Sequence, residues 1–320
     1  MTDASEQPPD GRGRRRGRRS RARAEIDRAR ADFDHANERI KQRTGRDLIG
    51  AIVIGLVIGI ALLLSLLIWK PVFILFVLAA AGTGIFEFGR ALQAGGRRID
   101  LAPQLVGMLA MVASAWFLPL WEHWVVVCAA VVLVVVWRLV AAAAGRRRTA
   151  GGSLWQDVLA GVLVQLYVPF TGSLAIILLR QASGELWVLA FIVLAIVADT
   201  SAYATGLTLG KHPMAPRVSP KKTWEGFAGA VVGAVIAGIL LSFFMLGLPW
   251  ATGIIFGLVI LFTATIGDLG ESMIKRDLGI KDMSSWLPGH GGVLDRLDSI
   301  LPSAGAALAL YYLLTPLVTQ

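Results

Sequence analysis

The pattern of hydrophobic positions is that of a chain that crosses a membrane many times. Long apolar runs, such as the uncharged stretch 49–69, recur from residue 48 to the end. About 20 apolar residues in an α-helix reach across a hydrocarbon core of about 30 Å. The pattern predicts nine spans, approximately at 48–69, 71–89, 101–120, 122–144, 154–179, 186–209, 225–247, 250–269 and 299–318. We therefore expect an all-α, polytopic integral membrane protein.

Basic residues between the spans predict their orientation, because cytoplasmic loops carry an excess of Lys and Arg. With nine spans and a cytoplasmic N-terminus, every strongly basic loop falls on the cytoplasmic side. Only Lys70 and Arg180 remain on the outer side, both at span ends. We therefore expect a multi-pass protein of the cell (inner) membrane whose active site faces the cytoplasm.

The chain divides into a polar tail and two groups of spans. Residues 1–46 hold 14 of the 31 Lys and Arg, and their Arg-rich start is expected to be disordered beside an anionic leaflet. No nucleic-acid-binding module follows the tail, so no nucleic-acid partner is expected. Residues 47–147 predict a scaffold of four transmembrane helices that carry few polar groups. Residues 148–320 predict a catalytic domain of five helices with cytoplasmic loops.

Several features inside the spans predict packing. GxxxG spacing predicts helix contacts at Gly55/Gly59 and Gly229/Gly233. Trp residues near span ends predict interfacial positions for Trp69, Trp121, Trp124, Trp187, Trp224 and Trp250. Glu87 and Arg90 have the spacing of an i,i+3 pair, or equally of an interfacial ion pair. The single Cys128 lies in an apolar run and supports no disulfide framework or zinc cluster.

Polar residues concentrate in the second half of the chain. Asp199 lies within an apolar span, where an ionisable group is costly and is a functional candidate. A neutral Asp that is hydrogen-bonded to a neighbouring helix is the alternative. The short loop 211–226 is basic and suits a phosphate group, although cytoplasmic loops are basic for topological reasons too.

The most informative segment is 266–299. One face of a predicted helix carries, at i, i+3, i+4 and i+7, Asp268, Glu271, Ser272 and Lys275. Asp295 and Asp298 repeat the i,i+3 spacing, and the intervening PGHGG sequence favours a backbone anion site. Carboxylates hold Mg²⁺ together with phosphate oxygens, so the segment predicts metal-assisted phosphoryl or nucleotidyl transfer. His290 could act as a base or metal ligand, but a hydrogen bond to phosphate is favoured.

These residues resemble the phosphatidate cytidylyltransferase (CDP-diacylglycerol synthase) family. The resemblance rests on Ser272, Lys275-Arg276, Lys281-Asp282, His290-Gly291-Gly292, Asp295-Arg296-x-Asp298, the SPKKTWEG run at 219–226, Asp199 with Ala202-Tyr203, and Gly267-Asp268 before Glu271-Ser272. It covers the C-terminal half. The first four spans match only by length and hydropathy, and the Arg-rich tail is longer than the family pattern.

The resemblance implies that CTP and phosphatidic acid react to give CDP-diacylglycerol and pyrophosphate at the bilayer. It implies Mg²⁺ (or Mn²⁺), a monovalent cation such as K⁺ as a further partner, and a homodimer. Asp268 and Asp295 would be the principal metal ligands, supported by Glu271 and Asp298. The implied catalytic residues are Asp268, Asp295, Lys275, Arg276 and Asp298. The implied substrate-binding residues are Asp199, Ser219, Lys221, Lys222, Thr223, Ser272, Lys281, His290, Gly291, Gly292 and Arg296.

Two other function classes remain open from the residues alone. A CTP-dependent lipid-alcohol kinase would use similar metals but transfer the γ-phosphate. An ion-coupled transporter could use the intramembrane Asp199, but the carboxylates cluster at one membrane face and the two halves show no repeat. CDP-alcohol phosphotransferases are not supported, since the sequence has no DGxxAR-type motif.

Overall fold

The computed structural model describes residues 48–145, 153–286 and 291–317. Nine helices account for most of this part of the chain, and each corresponds to one predicted span. They are α1 Leu48–Leu67, α2 Lys70–Ala94, α3 Leu101–Phe117, α4 Leu120–Ala143, α5 Leu154–Leu179, α6 Gly184–Leu209, α7 Trp224–Met245, α8 Trp250–Asp277 and α9 Leu294–Leu314. The predicted tail, residues 1–46, lies outside the described residues.

Seven of the helices, α2 and α4 to α9, are long and apolar enough to cross a membrane. The apolar stretches available in the other two are shorter, Gly55–Leu67 in α1 and Leu101–Phe117 in α3. The chain is therefore a multi-pass, all-α membrane protein, as the hydropathy pattern predicts.

Helices α5 and α7 each contain a π-helical turn, and α9 begins with a short helical turn that precedes its longer segment. In α5, a π-helical turn at Leu166–Phe170 includes Pro169, which lacks the N–H of a regular helix. In α7, a second π-helical turn occupies Leu241–Met245. Helix α9 starts as a short turn, Leu294–Leu297, before the longer segment Ile300–Leu314. These irregular turns matter for the site, because the first and the last carry residues that reach it.

Apolar side chains divide into a buried core and an exposed surface. The core includes fully buried Phe88 of α2, Ile176 of α5 and Phe191 of α6. Five of the Trp residues expected at the membrane interface are exposed: Trp69, Trp121, Trp124, Trp224 and Trp250. Trp187, three residues into α6, is instead buried within the protein, and its ring packs 5.3 Å from that of Tyr311.

Small residues bring α6, α7 and α8 close together. A Cβ added at Gly229 would lie 2.1 Å from Thr205 Oγ1, and one at Gly233 would lie 2.2 Å from Ser201 Oγ. The packing prediction for this glycine pair is confirmed. A Cβ added at Gly59 would meet nothing within 4 Å, so that glycine makes no comparable contact in the described chain.

The basic loop between α6 and α7 contains a small hairpin that the sequence did not predict. Strand β1, Pro213–Ala215, pairs antiparallel with β2, Ser219–Thr223. Glu225 stabilises the base of this hairpin by accepting hydrogen bonds from the backbone N–H groups of Lys211 at 3.0 Å and His212 at 3.1 Å. Thr223 then caps α7 by accepting from the Gly226 N–H at 3.1 Å. The hairpin therefore presents its lysines from a fixed backbone.

A buried ion pair that the sequence also did not reveal joins α4 and α5. Arg138 of α4 donates to Asp157 of α5 at 2.9 Å, and both side chains are almost fully buried. Asp157 also accepts from the Arg98 backbone N–H at 2.9 Å. The pair joins helices from either side of the predicted domain boundary at 147/148. Burial of both charges requires this mutual pairing.

Candidate active site

Three carboxylates meet where α6, α8 and α9 approach one another, and we call Asp199, Asp268 and Asp298 the acidic cluster. Asp268 forms an ion pair with Lys222 Nζ of the hairpin at 2.5 Å and accepts a hydrogen bond from Ser272 Oγ at 3.4 Å. Asp199 accepts from Ser299 Oγ at 3.2 Å. The three carboxyl groups interact electrostatically with one another. Neighbouring carboxylates favour a nearby cation, and Lys222 supplies one.

The backbone of α8 and α9 is in direct contact beside this cluster. A Cβ added at Gly267 would lie 2.1 Å from the Asp298 carbonyl oxygen and 2.7 Å from the Pro302 ring. Only glycine leaves room for this approach. Because Asp268 follows Gly267 and Asp298 supplies the contacted carbonyl, the close approach fixes the two carboxylates relative to each other.

A second group, Glu271, Lys275 and Asp295, forms what we call the buried ion cluster. Lys275 Nζ lies 3.2 Å from Glu271 and 2.8 Å from Asp295. Tyr167, on the π-helical turn of α5, donates to Glu271 at 3.4 Å. All three charged residues are at most 9% exposed. The lysine therefore pairs with two carboxyl groups inside the protein, and it does not point to solvent as an unengaged phosphate-binding group would.

Asp295 also organises the described part of the connection between α8 and α9, residues 278–286 and 291–293, which we call the signature loop. Its Oδ2 accepts from the Met283 N–H at 2.9 Å and from the Gly292 N–H at 2.8 Å. Gly291 adopts a positive φ of 85°, which a glycine accepts without strain. His290 lies outside the described residues. Asp295 thus joins the two described segments of the signature loop.

Glu87 reaches the same loop from α2 and is the functional candidate that the sequence interpretation missed. It accepts from the backbone N–H groups of Val293 at 3.0 Å and Leu294 at 2.8 Å. The expected pairing with Arg90 is wrong: Glu87 is 1% exposed, whereas Arg90 is exposed over the Phe86 ring. A carboxylate in an apolar span was the available signal, the same one that identified Asp199.

The predicted phosphate-binding residues lie in different environments. Lys221, Arg276, Lys281 and Arg296 are exposed, whereas Lys222 is partly buried against Asp268. Arg276 donates to the Val218 carbonyl at 3.1 Å and so links the end of α8 to the hairpin. Ser219 is half-buried on β2. Along the chain, Lys221 lies on β2, Arg276 near the end of α8, Lys281 in the connection that follows, and Arg296 near the start of α9.

The donor set fits a hard divalent cation. The acidic cluster offers carboxylate oxygens alone, which suit Mg²⁺. Within residues 48–145, 153–286 and 291–317, no three or more His, Cys, Asp or Glu side chains are grouped tightly enough to hold one ion by themselves. Mg²⁺ in nucleotide enzymes is usually held by one or two carboxylates plus substrate phosphates. Asp268 and Asp298 offer two carboxyl groups of this kind, one on α8 and one on α9.

Comparisons with known proteins identify the family of this chain. The model of the cytidylyltransferase family matches residues 49–314. The phosphatidate cytidylyltransferase of Mycobacterium bovis is 40% identical over 272 residues, covering 83% of this chain and 88% of the relative. That of Mycobacterium leprae is 36% identical over 281 residues, covering 85% and 90%. Phosphatidate cytidylyltransferase 4 of Arabidopsis thaliana chloroplasts is 46% identical over 110 residues, 33% of this chain and 27% of the relative. The chain therefore belongs to the cytidylyltransferase family.

Proposed function

We propose that the chain is a CDP-diacylglycerol synthase, which transfers CMP from CTP to phosphatidic acid. The observation that carries the proposal is the acidic cluster with Lys222, set among apolar helices in a member of this family. A membrane lipid reaches such a border from the bilayer, and a nucleotide reaches it from water. The distribution of basic residues supports a position of this border on the cytoplasmic face of the cell membrane.

The reaction joins two anions, which defines what the residues must do. A phosphate oxygen of phosphatidic acid attacks the α-phosphorus of CTP, forming a new P–O bond. The bond from the α-phosphorus to the bridging oxygen of the β-phosphate breaks, and pyrophosphate leaves with the electron pair. The chain must hold both substrates in line and screen their charge. Lys222 and the exposed Lys221, Arg276, Lys281 and Arg296 supply positive groups for this purpose.

The carboxylates divide the remaining work between them. We assign Asp268 and Asp298 to hold Mg²⁺ (or Mn²⁺), which when bound neutralises phosphate charge and stabilises the leaving group. Glu271 and Asp295, also predicted ligands, have the contacts of residues that fix Lys275 and the signature loop. We therefore assign them to positioning. A monovalent cation such as K⁺ and a homodimer stay predictions from the family resemblance.

The test is an assay of purified protein with CTP, phosphatidic acid and Mg²⁺, in which CDP-diacylglycerol is measured by mass spectrometry. Asp268→Asn and Asp298→Asn are each expected to lower turnover at least about a hundredfold, as the loss of charge stabilisation at a metal should. Asp277→Asn, an exposed position at the end of the same helix α8, is the matched control and should retain parental turnover. Near-normal turnover of Asp268→Asn at saturating Mg²⁺ would remove that residue from the site.

A further inference from the structure

Glu87 occupies an unusual position for a residue of the N-terminal helices. It lies on α2, is 1% exposed, and is separated in sequence from the signature loop by about two hundred residues. Its carboxylate nevertheless receives three hydrogen bonds from that loop and from the start of α9. Ser284 Oγ donates to Oε1 at 2.6 Å, the Val293 N–H donates to Oε1 at 3.0 Å, and the Leu294 N–H donates to Oε2 at 2.8 Å.

The three donors come from both described segments of the loop and from α9. Ser284 lies in the first segment, 278–286, Val293 ends the second, and Leu294 begins α9. The first N–H groups of a helix have no partner within the helix, and a carboxylate is their strongest acceptor. One side chain therefore ties the first segment of the loop to the start of α9.

The surrounding packing leaves this carboxylate in one place. A Cβ added at Gly292 would lie 2.8 Å from Glu87 Oε2, so the loop backbone lies directly on the carboxylate. The neighbouring Phe86 ring packs 5.2 Å from the ring of Trp286, which makes a second contact between α2 and the loop. Helix α2 thus contacts the signature loop through both the Glu87 carboxylate and the Phe86 ring.

Glu87 and Asp295 accept hydrogen bonds from different groups of the same loop. Asp295 accepts from Met283 and Gly292, the neighbours in sequence of the groups that Glu87 accepts from, Ser284 and Val293. Asp295 is in turn fixed by Lys275 at 2.8 Å. The two carboxylates, one on α2 and one on α9, thus accept hydrogen bonds from the same two pairs of adjacent residues, 283–284 and 292–293.

We propose that Glu87 is a positioning residue of the reaction, which sets the signature loop and the start of α9 so that Asp298 and the loop's phosphate-binding groups stand in reach of CTP. This proposal rests on the proposed function of the site. It makes α2 part of the catalytic apparatus, whereas the sequence predicts only a scaffold role for residues 47–147. Glu87 itself touches no substrate in this account.

The experiment compares Glu87→Gln and Glu87→Asp with Glu122→Gln, a matched loss of one acidic charge in the first turn of α4. Glu87→Gln keeps the size of the side chain but turns an amide donor toward a backbone N–H. We expect its kcat to fall at least about tenfold and its KM for CTP to rise, because a displacement of about 1 Å costs up to about a hundredfold. Glu87→Asp, which keeps the charge on a shorter side chain, should regain part of the rate. Glu122→Gln should behave like the parent.

A second measurement reads the loop directly. In a Cys128→Ser, Met283→Cys background, the buried position 283 should react slowly with a water-soluble maleimide. Glu87→Gln is expected to speed this labelling at least about tenfold, and Glu122→Gln should leave it unchanged. Should Glu87→Gln yield no folded protein by size-exclusion chromatography, the same comparison is made with Glu87→Asp, which should give a smaller acceleration.

The outcomes separate the proposal from its alternatives. Faster labelling together with a lower kcat supports it. Unchanged labelling, whether or not the rate falls, shows that Glu87 does not set the loop and overturns it. Faster labelling with a normal kcat and a normal KM for CTP overturns the catalytic role. If the parent made no CDP-diacylglycerol at all, the proposed function would fail, whereas the labelling would still decide whether Glu87 holds the loop.

Discussion

Replacing Gly267 by alanine should separate the two helices that carry Asp268 and Asp298. The added Cβ would lie 2.1 Å from the Asp298 carbonyl oxygen and 2.7 Å from the Pro302 ring, and ordinary contact begins at 3.4 Å. Both neighbours belong to α9, one of them to its backbone, so no side-chain rotation relieves the overlap. Helix α9 must therefore move away from α8 by roughly 1 Å, the scale at which misplaced catalytic groups lose about a hundredfold in rate.

The free energy of unfolding should respond less than the rate does. An extra methyl group forced into a packed contact costs about 1–3 kcal/mol. Exchange of glycine for alanine within a helix returns about 1 kcal/mol. We therefore expect Gly267→Ala to fold, with modestly reduced thermal stability in detergent, and to lower turnover by about a hundredfold. A large loss of turnover with only a small loss of stability would indicate that the two carboxylates have been displaced.

Gly270→Ala, one turn further along α8, is the matched control. A Cβ added at Gly270 meets nothing within 4 Å, so this variant should retain parental turnover and be equally or slightly more stable. Turnover would be measured as CDP-diacylglycerol formed per folded protein, and stability as the unfolding midpoint in the same detergent. If Gly267→Ala turned over as fast as Gly270→Ala, the close approach of α8 and α9 would not position the carboxylates.

Three further predictions concern charge, orientation and the tail. Lys275→Met should lower the free energy of unfolding by about 3–5 kcal/mol, since it leaves two buried carboxylates unpaired, and unchanged unfolding in detergent would contradict the buried ion cluster. With Cys128 replaced, a cysteine at Lys211 should be labelled only from the cytoplasm and one at Ser183 only from outside; labelling of position 211 from outside would reverse the orientation. Deletion of residues 1–44 should leave specific activity in detergent unchanged, and a loss would show that the tail contacts the catalytic half.

Hydropathy was sufficient to predict the nine helices, because the membrane imposes one length and one polarity on each span. The chemistry was predictable where it is local. Asp268, Glu271 and Lys275 repeat at helical spacing, and the structure brings Glu271 and Lys275 within 3.2 Å. The packing of Gly229 and Gly233 was predictable for the same reason, since a GxxxG spacing places both residues on one face.

Contacts between distant parts of the chain were not predictable from spacing. Glu87 and the signature loop are far apart in sequence, and nothing near Glu87 indicates which N–H groups it accepts from. Arg138 and Asp157 meet through the packing of α4 against α5, which hydropathy does not specify. Trp187 has the sequence context of an interfacial residue, but helix packing buries it. In each case the deciding contact is tertiary. A single sequence does not indicate which residues of two packed helices face each other.

The transfer of the α-phosphorus is tested most directly with CTP labelled on either its α- or its γ-phosphate. Purified protein is given Mg²⁺, phosphatidic acid and one labelled CTP, and the lipid is then extracted. CMP transfer predicts that α-label enters the lipid and that γ-label is recovered as pyrophosphate, with both signals lost in Asp268→Asn. Entry of γ-label into the lipid would show that the chain acts as a kinase on a lipid acceptor, and would contradict the proposed cytidylyltransferase reaction.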